Sequence, residues 1–212
     1  MPHTSGSPSS GRSGTGSGTG TRTGTRSRRP AEVLADAVRV LAGVSVVVAL
    51  LRGGAVDAAL FFMVLGGTVI PRLLRVVPPG LDAAFGAGLL VAAWSGSLGL
   101  YEQIGWLDLA VHGATTALAA AVGYLAMVRA GWLVHPRETP AMGVVVVTVL
   151  LGLSLSVLWE QAEYLGATYL DPTIYVAYVD TIGDMTLGGL GSAVAGMGLG
   201  AWARRTARDR TA

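Results

Sequence analysis

Apolar residues run through this chain in long blocks, separated by short polar or Gly/Pro-rich breaks. Six blocks approach the roughly 20 residues that a helix needs to cross a hydrocarbon core of about 30 Å. They run from about Val33 to Leu51, Ala55 to Val77, Leu81 to Leu100, Leu107 to Val128, Ala141 to Trp159, and Ile182 to Ala203. Gly53-Gly54, VPPG at 77–80 and HPRETP at 135–140 interrupt the pattern with residues that end helices and form turns. The second block is the weakest, because Pro71, Arg72 and Arg75 shorten its apolar stretch. The pattern predicts an all-α fold: a polytopic membrane bundle of about six transmembrane helices over residues 31–206. A Gly/Ser/Thr/Arg-rich segment over residues 1–30 lacks apolar periodicity and reads as a disordered cytoplasmic tail, with a short second tail at 207–212. The first segment has no apolar core of its own and is not a cleavable signal peptide.

Composition agrees with the pattern. Charged residues make up 13% of the chain and mean hydropathy is +0.56, against about 25% charged residues in soluble domains. The 15 basic residues are all arginine. In a six-span chain, every arginine outside the spans except Arg52 falls on one side of the membrane. By the positive-inside rule this places both termini in the cytoplasm. Arg39, within the first span, is expected to snorkel toward the same side. The basic balance therefore points to a membrane-lipid partner and not to nucleic acid, and no motif marks a protein partner. The absence of cysteine excludes disulfides and thiolate metal sites.

The acids change the picture. On the side assigned as outer, Asp108 and His112 stand four residues apart at the head of the fourth span, Glu160 and Glu163 close the fifth, and Asp180 and Asp184 open the sixth. Each pair shares a helix face. Carboxylates and an imidazole at i, i+3 and i, i+4 spacing on neighbouring helices are what bundle metal sites use. The six residues are candidate ligands of one divalent ion, with Glu160 and Glu163 also candidate catalytic acid/base groups. Helix capping competes for part of this set. Asp180 or Thr181 would cap the sixth helix, Thr181-x-x-Asp184 fits a capping box, and Asp108 would meet a favourable dipole. The glutamates resist that account, since a helix C-terminus disfavours anions and like charges on one face repel. Between them Asp171-Pro172 predicts a turn. Gly188, Gly191, Gly196 and Gly200 predict close packing of the last helix.

WLDLAVHGATTALAA (106–120), LWEQAEYL (158–165) and DTIGDMTLGGLGSAVAG (180–196) together resemble the YjdF-like family of small bacterial inner-membrane proteins. More distantly they are similar to the VanZ-like proteins, which share an Asp-x3-His helix, a glutamate helix and a final Asp-containing glycine-rich helix. The resemblance covers roughly residues 95–200. It implies about six spans in the bacterial inner membrane and no established activity. The family often carries a polar residue near the position of Gly188, where this chain offers no ligand. Three functions stand open: a metal-dependent enzyme acting on a lipid or envelope precursor at the outer face, an ion or solute transporter, and a non-catalytic protein whose polar cluster fixes helix packing.

Overall fold

The computed structural model describes residues 30–208. The predicted tails at 1–30 and 207–212 lie outside the described residues, apart from Pro30, which opens the first helix, and Ala207 and Arg208, which close the last. Among the described residues the chain is all helical. Six long helices, α1 (Pro30–Leu51), α2 (Ala55–Leu73), α3 (Pro79–Ser97), α5 (Leu107–Arg129), α6 (Ala141–Tyr169) and α7 (Tyr178–Arg208), are joined by short turns and one four-residue helix, α4 (Leu100–Gln103).

The helices end where the local chemistry requires. Pro79 sits in the first turn of α3, where its missing N–H is no loss. Gly53, Gly99 and Gly131 take positive φ in the turns after α1, α3 and α5. Pro71 lies in the last turn of α2, so the helix ends at Leu73, short of the expected Val77.

The bundle is built in two halves. In the first, α1, α2 and α3 close around Val38, Ala42, Phe61, Val64 and Leu90, with Trp94 tilted onto Phe61 at 4.9 Å between ring centroids. In the second, α5, α6 and α7 close around Ala121, Tyr124, Leu125, Val144 and Leu199. α3 joins the halves by lying against α5, where a side chain on Gly88 would meet Leu118 and Thr115.

The surface is apolar and the interior is small and partly polar. Val40, Phe62, Leu150 and Val194 are exposed, whereas Ser45, Thr68, Thr148, Ser156 and Ser192 are buried. The hydroxyls of Ser45, Thr148 and Ser192 bond to the carbonyl one turn back. That leaves no lost partner in a solvent that offers none. By length and composition α1, α2, α5 and α6 suffice to cross a membrane. α3 and α7 fall below that standard: both are rich in Gly and Ala, α3 carries Asp82, and α7 carries two aspartates and three arginines.

Arg39 is held inside the first half and does not snorkel. Its guanidinium donates to both carboxylate oxygens of Asp82 at 2.6 and 2.5 Å, to Asp36 Oδ1 at 3.1 Å and to the Thr68 carbonyl at 3.1 Å. One fork of donors thus ties α1, α2 and α3 together.

Two boundaries alter the reading of the acids. α6 continues well past Trp159 to Tyr169, so Glu160 and Glu163 are not at its C-terminus. The dipole penalty acts within the last turn and does not reach them. α7 begins at Tyr178, ahead of Asp180, and the Thr181 N–H already bonds to the Ala177 carbonyl. Neither Asp180 nor Thr181 is therefore the cap. The remaining connection turns at Asp171-Pro172. Asp171 Oδ1 accepts from the Thr173 N–H at 2.9 Å and its hydroxyl at 2.6 Å, and the Ile174 N–H bonds to the Asp171 carbonyl. These donors hold the Asp171 carboxyl below its ordinary pKa.

Candidate metal centre

Three helices bring their polar residues to one end of the second half. α5 carries Asp108 in its first turn and His112 a turn deeper. α6 carries Ser156, Glu160 and Glu163 on neighbouring turns, and α7 carries Asp180 in its first turn and Asp184 a turn further in. Short aspartate and histidine side chains can meet only if the backbones approach closely, and glycines allow that. A Cβ on Gly191 would strike the Gly113 carbonyl, and one on Gly113 would lie 3.2 Å from the Leu187 carbonyl, so α5 and α7 touch along their backbones. Between α7 and α6, a Cβ on Gly196 would strike the Val145 backbone, while one on Gly152 or Gly188 would collide with the Ser192 or Ser156 side chain. Gly200, which would meet only the Arg204 guanidinium, has no such role.

Asp184 is the centre of the cluster. One set of candidate ligand atoms comes from His112, Glu160 and Asp184, and a second from Asp108, Asp180 and Asp184; within each set the atoms lie within 4.8 Å of one another. The first set is buried, with exposures of 8% for His112, 8% for Glu160 and 2% for Asp184, whereas Asp108 and Asp180 are half-buried at the mouth. Glu163 belongs to neither set, although it lies close enough to Glu160, Asp108 and Asp184 to sense their charge.

The hydrogen bonds leave this centre incomplete. His112 Nε2 lies 3.2 Å from Ser156 Oγ, and Nδ1 lies 3.5 Å from Asp184 Oδ2. The second distance is long for a charge-assisted bond. It is ordinary for two ligands of one ion, each about 2.0–2.2 Å from it. In the tautomer that carries its proton on Nε2, the ring donates to Ser156 and Nδ1 keeps a lone pair facing Asp184. Glu160 Oε1 and Asp184 Oδ1 are buried with no hydrogen-bond partner. On these helices the arginines, Arg129, Arg204, Arg205 and Arg208, stand at the opposite ends. The donor set, carboxylates with one imidazole, suits a divalent cation.

Two neighbours were not anticipated as part of this centre. Ser156 lies one turn before Glu160 on the same helix face, a signal present in the spacing but too common to single out. Tyr101 folds back from α4 and donates its hydroxyl to the Ala92 carbonyl at 2.9 Å. Burial first, and then the charge of Asp108, push its phenol pKa upward. Gly188 is silent as a ligand for a steric reason, because a Cβ there would collide with Ser156 Oγ and lie 3.1 Å from Thr116. Alongside the acids, an apolar groove of about 310 Å³ runs between α5 and α7, lined by Leu109, Ala110, Gly113, Ala114, Leu187 and Gly191.

A family described as "Predicted membrane protein (DUF2238)" matches residues 32–206, which include every residue of the cluster. No curated protein and no solved structure matches the chain.

Proposed function

This chain belongs to the DUF2238 family of predicted membrane proteins, the YjdF-like family, and from that premise we propose that it is a divalent-cation-dependent enzyme acting on an ester or phosphoester of a membrane lipid or envelope precursor. The observation that carries the reading is the pair of buried, unpartnered oxygens, Glu160 Oε1 and Asp184 Oδ1, beside the His112 ring. A buried carboxylate oxygen without a partner is costly, and a divalent cation offsets that cost with the donor set present here. His112, Glu160 and Asp184 hold the ion, and Ser156 fixes the imidazole tautomer, as partners of metal-bound histidines commonly do. Such an ion polarises an ester or phosphoryl oxygen and lowers the pKa of water. Glu163, outside both ligand sets, is the group free to carry a proton.

Two features favour surface chemistry over transport. Asp108 and Asp180 are half-buried at the mouth, while deeper in the same half Tyr124, Val144 and Leu199 fill the interior. An acyl chain lying in the apolar groove between α5 and α7 would bring a lipid headgroup toward the acids. The topology belongs to the same proposal: six spans in a bacterial inner membrane, both termini cytoplasmic, and the acids outward. Val91 on α3 and Leu190 and Val194 on α7 are exposed, as lipid-facing positions would be.

The test is metal analysis of protein purified in detergent. Wild type should retain a divalent ion, and Zn²⁺ or Mn²⁺ at a hundredfold over Kd should stabilise it by about 2.7 kcal/mol. Asp184→Asn should lose both properties. A wild-type protein that holds no ion and melts identically with and without added cation would end this reading, whereas retained ion without hydrolysis of lipid esters would end only the enzymatic part.

A further inference from the structure

We infer that the cluster is built for two divalent ions, with Asp184 bridging them. The inference rests on the cation reading above and extends it. His112, Glu160 and Asp184 form one set of mutually close ligand atoms, and Asp108, Asp180 and Asp184 form another, but the five do not form a single set at that spacing. Ligands of one ion at about 2.0–2.2 Å from it lie no further than about 4.4 Å apart. One ion therefore cannot take all five where they stand. Two ions can, provided one residue serves both, and Asp184 is the residue common to both sets.

Asp184 has an oxygen to give to each ion. Oδ2 faces His112 Nδ1 at 3.5 Å, on the inner side with Glu160. Oδ1 is buried and has no hydrogen-bond partner, so it is available to a second ion. A carboxylate that gives one oxygen to each ion suits the roughly 3.5–4 Å separation of two-metal centres. Charge leads to the same count. The two sets hold four carboxylates and one imidazole. A single divalent ion would leave a net negative charge at this depth with no arginine at this end of the three helices, whereas two ions balance the carboxylates.

The experiment is titration of the detergent-purified full chain with Mn²⁺, counted by elemental analysis after desalting and read by electron paramagnetic resonance. Two ions per chain with a spin-coupled signal are expected for wild type. The Asp108→Asn/Asp180→Asn double variant should keep one ion, lose the coupling and show the six-line spectrum of an isolated Mn²⁺. Asp184→Asn should lose both ions. One ion per chain in wild type, or two that stay uncoupled and are unaffected by the double variant, would overturn the bridge while leaving the single-cation reading intact. No ion at all would overturn both. The wild-type count and coupling decide the matter even if a variant fails to fold.

Discussion

Among the described residues, two groups of charged side chains are buried in this bundle, and they are balanced in opposite ways. In the first half, Arg39 sits among Asp36, Asp82 and the Thr68 carbonyl, and its donors find acceptors on three helices. In the second, His112 faces a set of carboxylates, two of whose oxygens have no partner. The first group is complete as it stands and holds helices together. The second lacks positive charge, and only something brought from outside can supply it. Burial of charge alone does not mark a functional site; burial of unbalanced charge does so more sharply.

The largest effect should come from breaking the balanced group. Asp82→Ala leaves the Arg39 guanidinium buried without its main partner, and should destabilise the protein by about 3–5 kcal/mol, whereas the double replacement Arg39→Met/Asp82→Leu should be far milder. Thermal melting in detergent with and without Mn²⁺ reads both terms. The cation-dependent rise should survive in the double variant, because the two centres share no residue. If that rise vanished with the pair, the two groups would not be independent of each other.

A middle-sized effect is expected at Gly188. Its replacement by alanine forces a methyl group onto Ser156 Oγ and Thr116, and should cost about 1–3 kcal/mol. Cation affinity should fall as well, since Ser156 orients His112. Gly200→Ala, on the same helix but facing only the Arg204 side chain, should be neutral or gain roughly 0.5–1 kcal/mol from helix propensity. Equal behaviour of the two variants would remove Ser156 from the centre.

The smallest effect is a titration. Tyr101 is neutral well above its ordinary pKa of 10.0, chiefly through burial and then through the charge of Asp108, with Glu163 and Asp184 adding to it. An acid group with a raised folded pKa favours the fold below its unfolded pKa and costs stability as pH rises above it. Cation binding cancels the charge component and leaves the burial component. The phenolate absorbance difference between wild type and Tyr101→Phe should therefore appear at lower pH when Mn²⁺ is present, yet still above pH 10. A transition unmoved by the cation would separate Tyr101 from the cluster.

The sequence by itself determined the elements. Long apolar blocks fixed the six long helices and most of their ends, because a helix in a solvent without hydrogen-bond partners must be apolar outside and must satisfy its own backbone. The i, i+3 and i, i+4 spacings of Asp108 with His112, Glu160 with Glu163, and Asp180 with Asp184 were legible for the same reason, since 3.6-residue periodicity is local. Helix ends within polar stretches were not. The continuation of α6 to Tyr169 and the early start of α7 at Tyr178 removed both the dipole penalty on the glutamates and the capping role of Asp180. What only the tertiary structure decided is which acids meet. Glu160 and Glu163 are equivalent on paper, yet only Glu160 joins a ligand set. Asp184 becomes shared between two sets because Gly113, Gly188 and Gly191 let three backbones close on it. Arg39, expected to reach water, found Asp82 on a helix more than forty residues away in sequence. Distances between helices depend on the small residues at every crossing together, and no local pattern contains them.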